Sequence, residues 1–247
     1  MRAPLAFVAS GLLAISLPAG VGLAQRGIES QRVTFRAGAD STLLKGQLKG
    51  DQTVDYKLRA GAGQTLTVEL KGSNPQNDFN VMAAGTDTAL FIGSSSGNRF
   101  RGPLPSDGDV RVRVFLMRPA ARRNESSTYS LKVGISGAPL APVPASRDAL
   151  IPGTPYHASA EVPCRSGSSG KTTRCKASVI RRANNSATVV VMNPEAQKRQ
   201  FLFVKGKAVA SDQPETLTVQ RRGDVSVLLL GENFERYEIV DALVVGG

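Results

Sequence analysis

Tryptophan is absent from the 247 residues, histidine occurs once and cysteine twice. One histidine excludes most His-rich metal sites, and two cysteines exclude a zinc ribbon or an iron–sulfur scaffold. Aromatics make up 5%, too few for the stacking platforms of nucleic-acid binders, so nucleic acid is not an expected partner. Acidic residues number 20 against 31 Lys and Arg, a formal charge of +11. No apolar run after the first two dozen residues approaches spanning length, which leaves no transmembrane segment in the remainder. Hydrophobic residues at 41% and charged residues at 21% supply a packed core and exclude wholesale disorder. Leu and Glu do not dominate, whereas Gly, Ser, Thr and Val are plentiful. That balance points to an all-β chain and away from a helical bundle.

Residues 1–24 have the form of a secretory signal peptide. Arg2 gives a short positive start, the stretch 5–17 is apolar, and Gly22-Leu23-Ala24 offers small residues for cleavage. Export, with the periplasm as destination, places Cys164 and Cys175 in an oxidising compartment. They are expected to form one local disulfide across a Gly/Ser-rich surface loop, contributing roughly 2–3 kcal/mol.

The Pro-rich stretch 137–155 reads as an extended linker. It separates residues 25–136 from residues 156–247, two regions of ordinary domain size. In the first, strand-like alternation recurs at 33–35, 43–48, 54–59, 65–70, 79–82, 90–92, 110–116 and 129–135. Tyr56, Leu58 and Ala60 share one face there, opposite Asp55, Lys57 and Arg59. About eight short strands with turn residues between them describe a β-sandwich. The second region repeats the style at 157–162, 175–181, 187–192, 199–204, 208–210, 217–221, 225–230, 237–240 and 243–245, as a smaller meander or barrel. Lys205-Gly206-Lys207 and Arg222-Gly223-Asp224 read as hairpin turns. No helical periodicity persists in either region.

Few residues suggest chemistry. His157 is the one imidazole available as a base, and its setting reads as a partly exposed strand start. Asp51, Asp78 and Asp107 lie in turn contexts rather than as a carboxylate pair. Asp107 and Asp109 flank Gly108 without the further oxygen ligands of a calcium loop. The expectation is a non-enzymatic protein without cofactor or metal. One segment differs from the rest: Arg118-Pro119-Ala120-Ala121-Arg122-Arg123-Asn124 follows the strand 110–116 directly. It reads as a projecting loop whose guanidinium forks suit carboxylates.

The string VRVFLMRPAARRNESSTYSLKV (112–133) resembles the C-terminal part of the periplasmic inhibitors of goose-type lysozyme. LLKGQLKGDQTVDYKLRAGAGQTLTVEL (43–70) is similar to the family's earlier strands, and also to pre-peptidase C-terminal β-sandwich modules. The resemblance covers roughly 31–136 and leaves the second region unassigned. It implies a β-sandwich whose loops enter the cleft of a g-type lysozyme and occlude the glycan. By that resemblance Arg118 and Arg122 reach toward the catalytic carboxylate, within a cluster that includes Arg123. Asn124 holds the loop or donates a hydrogen bond, and Tyr56 lies near the cleft-facing side. The alternative is an envelope accessory module that uses its basic β-surface on anionic glycans or lipids.

Overall fold

The computed structural model describes residues 28–167, 170–231 and 234–246. The expected signal peptide, 1–24, lies outside them. In chain order the strands of the first half are β1 (Glu29–Arg32), β2 (Ser41–Lys49), β3 (Thr53–Ala60), β4 (Thr65–Gly72), β5 (Asn77–Met82) and β6 (Ala89–Ile92). The short helix α1 (Gly93–Ser96), β7 (Arg99–Pro103), β8 (Gly108–Leu116), helix α2 (Arg118–Arg122) and β9 (Ser126–Ser136) complete it. One sheet has the order β1-β3-β8-β5-β6 and the other β2-β9-β4-β7. The alternation seen in the sequence places Tyr56, Leu58, Val112, Val114 and Phe79 on the inner face of the first sheet. Leu66, Val68, Leu131 and Val133 face them from the second, and all are buried. Each such side chain contributes roughly 1.5–3 kcal/mol by leaving water. This is the expected β-sandwich.

The second half contains β10 (Ala158–Arg165), β11 (Thr173–Arg182), β12 (Ser186–Met192), β13 (Lys198–Val204), β14 (Lys207–Ser211), β15 (Leu217–Arg222), β16 (Val225–Leu230), β17 (Glu235–Val240) and helix α3 (Asp241–Val245). They form one antiparallel sheet, β14-β13-β12-β11-β10-β17-β16-β15. It curls until its two edge strands approach one another, a nearly closed barrel around Phe201, Phe203, Val189, Leu228 and Tyr237. Lys205-Gly206 and Gly223-Asp224 form the expected hairpin turns, with positive φ at Lys205, Gly206 and Gly223.

Several expectations need correction. The strand expected at 33–35 ends at Arg32, and only Val33 continues the pairing, through its N–H to the Lys57 carbonyl at 2.8 Å. The strand expected at 243–245 is helix α3, which turns Leu243 and Val244 into the core. β7 was not foreseen because Arg99, Arg101, Gly102 and Pro103 obscure its alternation. The disulfide Cys164–Cys175 forms as expected, closing the connection between β10 and β11, and both cysteines are buried in those strands.

The stretch 137–155 is not a free linker. Leu140 N–H donates to the Ala62 carbonyl at 2.9 Å, and Val143 N–H to the Arg181 carbonyl at 2.8 Å. Beside it the fully buried Arg182 side chain crosses between the halves, donating to the Asp107 carboxylate at 2.7 Å and the Leu140 carbonyl at 2.6 Å. Thr188 Oγ1 donates to the Pro105 carbonyl at 2.8 Å, and Gln200 Nε2 to the Ala84 carbonyl at 3.0 Å. On the sandwich these contacts fall on the β3–β4, β5–β6 and β7–β8 connections. The strands are antiparallel, so α2 lies at the opposite pole of the sandwich.

Candidate functional site

The Arg-rich segment is a helical turn rather than an open loop. Met117 precedes it with extended ψ, and Pro119 occupies the first turn, where a missing N–H costs nothing. Ala120 turns into the sandwich core and is fully buried. The helix ends at Asn124, which takes φ +55°. Asn124 N–H donates to the Ala121 carbonyl at 3.0 Å and Glu125 N–H to the Ala120 carbonyl at 3.1 Å. That pair of bonds is a Schellman cap, with asparagine in the left-handed position usually given to glycine.

Neighbouring loops hold this turn in place. Met117 N–H donates to the Gln76 carbonyl and Gly50 N–H to the Glu125 carbonyl, both at 2.8 Å. Asn74 Nδ2 donates to Glu125 Oε2 at 2.7 Å, and Arg123 Nε to Glu125 Oε1 at 2.6 Å. Those partners hold the Glu125 carboxyl below its ordinary range.

The helix therefore sorts the arginines. Arg118 and Arg122 are four residues apart, on one face, and exposed. Among the described residues neither has a hydrogen bond or ion-pair partner. A like-charged pair at this spacing costs roughly 0.2–0.5 kcal/mol. Arg123 is separated from them by its bond to Glu125. Asn124 is the residue that holds the shape.

Tyr56, expected near the partner, is buried. Its hydroxyl shares a 2.8 Å hydrogen bond with the Tyr129 hydroxyl, and the rings meet edge to face at 6.5 Å. Burial raises both phenol pKa values. Tyr56 thus offers no surface to a partner and instead anchors Tyr129 near the start of β9, just past the helix. Tyr129 in turn packs where a side chain at Gly46 would stand.

Two hydrolase-like features have ordinary structural explanations. Gly93-Ser94-Ser95-Ser96-Gly97 carries the G-x-S-x-G spacing of a nucleophile elbow; Ser95 Oγ donates to the Ile92 carbonyl at 3.1 Å. His157 is buried rather than partly exposed. Its Nδ1 accepts the Arg181 N–H at 3.0 Å, so Nε2 donates to the Val143 carbonyl at 2.8 Å. Both ring nitrogens are thereby occupied.

Asp78, expected in a turn, lies instead within strand β5. It is buried, its Oδ1 accepts the Phe79 N–H at 2.7 Å, and among the described residues its Oδ2 has no hydrogen-bond partner. Burial raises its pKa, against the opposing pull of the Phe79 and Ser94 amides. Its position beside Gly93 is set by the fold, and no local pattern in the sequence marks it.

The architecture is a β-sandwich with a helix-borne arginine pair at one pole, followed by a nearly closed β-barrel. No protein-family model matches the chain. The periplasmic inhibitor of g-type lysozyme PliG from Aeromonas hydrophila is 36% identical to it. That match covers 97% of the inhibitor and 44% of this chain, with a TM-score of 0.42. Over that matched 44% the chain belongs to this family of periplasmic g-type lysozyme inhibitors, and the match does not extend to the remainder. The Salmonella Typhimurium PliG structure matches at 25% identity, over 98% of its length and 44% of this chain, with a TM-score of 0.35. The inhibitor of g-type lysozyme from Escherichia coli K12 is 28% identical over 106 residues, 42% of this chain and 78% of that protein. These relatives are named as inhibitors of an enzyme, in agreement with the non-enzymatic reading. Among the described residues no helix is long and apolar enough to cross a membrane.

Proposed function

We propose that this protein inhibits g-type lysozyme in the periplasm by presenting Arg118 and Arg122 to carboxylates in the enzyme's substrate cleft. Glycoside hydrolysis depends on a pair of carboxyl groups flanking the scissile bond. A planar guanidinium matches a carboxylate bidentately, and two on one helix face exclude the glycan while they bind. The observation that carries the reading is the unpaired, exposed state of Arg118 and Arg122 on a helix fixed by a buried Ala120 and a Schellman cap. The names of the relatives support the inhibition of g-type lysozyme in that reading. We read the inhibitory unit as a domain at 25–136, joined through 137–155 to a second domain at 156–247.

Arg118→Ala and Arg122→Ala test it. Truncating one partner of a desolvated ion pair costs about 2–5 kcal/mol, so each variant is expected to weaken inhibition at least about tenfold. Arg123→Ala, whose guanidinium is already bound to Glu125, is expected to change it by less than about threefold. Wild-type inhibition by the Arg118→Ala/Arg122→Ala double variant contradicts the mechanism.

A further inference from the structure

The two outer faces of the sandwich pair their positive charges to different extents. On the outer face of β1-β3-β8-β5-β6, Arg32 pairs with Asp109 at 2.7 Å, Arg111 with Asp87 at 2.5 Å and Arg113 with Asp55 at 2.7 Å, while Lys57 and Arg59 form no salt bridge among the described residues. The opposite face, β2-β9-β4-β7, carries Lys45, Lys49, Lys71, Lys132, Arg99 and Arg101, all exposed. The ladder places them side by side: Lys45 opposite Ser130 and Ser130 opposite Lys71, then Lys132 opposite Glu69 and Glu69 opposite Arg99. Glu69 is the one carboxylate among these outward strand positions. It pairs with Lys71 at 3.3 Å and Arg99 at 3.0 Å. Among the described residues Lys45, Lys49, Lys132 and Arg101 have no carboxylate partner.

What lies between these cations is polar. Gln47, Thr128 and Ser130 project on the same face, and glycine at 134 leaves a shallow depression beside Arg101 and Lys132. A second depression lies over Lys45, Ser130 and Lys71. The two are about four residues apart along the strands, roughly 13 Å. The outward strand positions carry no aromatic ring for base stacking, and Leu43 is their one large exposed apolar side chain. That composition disfavours nucleic acid, which needs stacking. It also disfavours a membrane surface or a protein interface, which need apolar anchors.

We propose that the outer face of β2-β9-β4-β7 binds an anionic polysaccharide, with Lys45, Lys71, Lys132 and Arg101 on its acidic groups and the interleaved hydroxyls and Gln47 on its sugar hydroxyls. This surface is independent of Arg118 and Arg122, and it does not rest on lysozyme inhibition.

The test is titration of the purified protein with polygalacturonate and with dextran sulfate, which separate carboxylate from sulfate recognition. Anionic phosphatidylglycerol/phosphatidylcholine vesicles provide the lipid arm. Lys45→Gln/Lys71→Gln/Lys132→Gln removes three charges from this face. Arg36→Gln/Lys57→Gln/Arg59→Gln removes three elsewhere on the sandwich and matches the net charge. The expected result is salt-sensitive binding to at least one polysaccharide, weakened about tenfold or more by the first triple variant and less than about twofold by the second. Equal loss in both variants would make the binding a net-charge effect and overturn the proposal. Absence of polysaccharide binding, or vesicle binding that is as tight and equally sensitive to the first variant, also overturns it. Circular dichroism of both variants checks that each retains its fold.

Discussion

Asn124 shows how much one residue decides. Its left-handed backbone closes the Arg-bearing turn, and glycine takes that conformation without strain while alanine does not. Asn124→Gly is expected to leave stability and inhibition nearly unchanged. Asn124→Ala is expected to cost about 1 kcal/mol, read from the urea midpoint. The signal is present in the sequence, since Pro119 and an Asn five residues later punctuate a helix start and stop. Asp78 left no comparable signal. Its raised pKa means that the folded state holds the proton more tightly than the unfolded chain. Stability therefore falls as pH rises from the usual aspartate value of 3.8 through the raised value, and the cost of the buried charge is complete above it. The stability difference between Asp78→Asn and the wild type is expected to favour the variant most at pH 7.5 and to shrink as the pH drops below 3.8. Parallel urea curves at the two pH values check this, and a difference independent of pH contradicts it.

At the scale of elements, strands with one wet face were legible, because apolar residues alternate along β3, β4, β8 and β9. The short helices were not, since five residues hold too few turns to show a period. Nor was β7, whose residues look like a turn until β4 pairs with them. The disulfide was legible as a pair, but not as a buried one. It ties β10 to β11 in the second core, so Cys164→Ser/Cys175→Ser is expected to destabilise that half by roughly 2–3 kcal/mol and leave inhibition intact. Calorimetry beside an inhibition assay tests both parts.

Across the whole molecule, the unexpected feature is the junction. A Pro-rich composition suggests an extended spacer with few backbone bonds, yet 137–155 is hydrogen-bonded to both halves, and Arg182, Thr188 and Gln200 reach across. Nothing local to Arg182 distinguishes it from other strand arginines; only the assembled fold brings Asp107 to it. Arg182→Ala is expected to cost about 2–3 kcal/mol through unpaired buried polar groups. It should also split one thermal unfolding transition into two. A single transition in the variant would mean that the remaining contacts suffice to couple the halves.

The position of the junction leaves the arginine pole open, so the second half is expected not to impede access to a lysozyme cleft. The most direct measurement is a lysis assay in which the purified protein is titrated into goose-type, chicken-type and invertebrate-type lysozymes acting on cell walls. Selective loss of goose-type activity near one inhibitor per enzyme is the expected result. Undiminished goose-type activity at a large molar excess of the protein would contradict it.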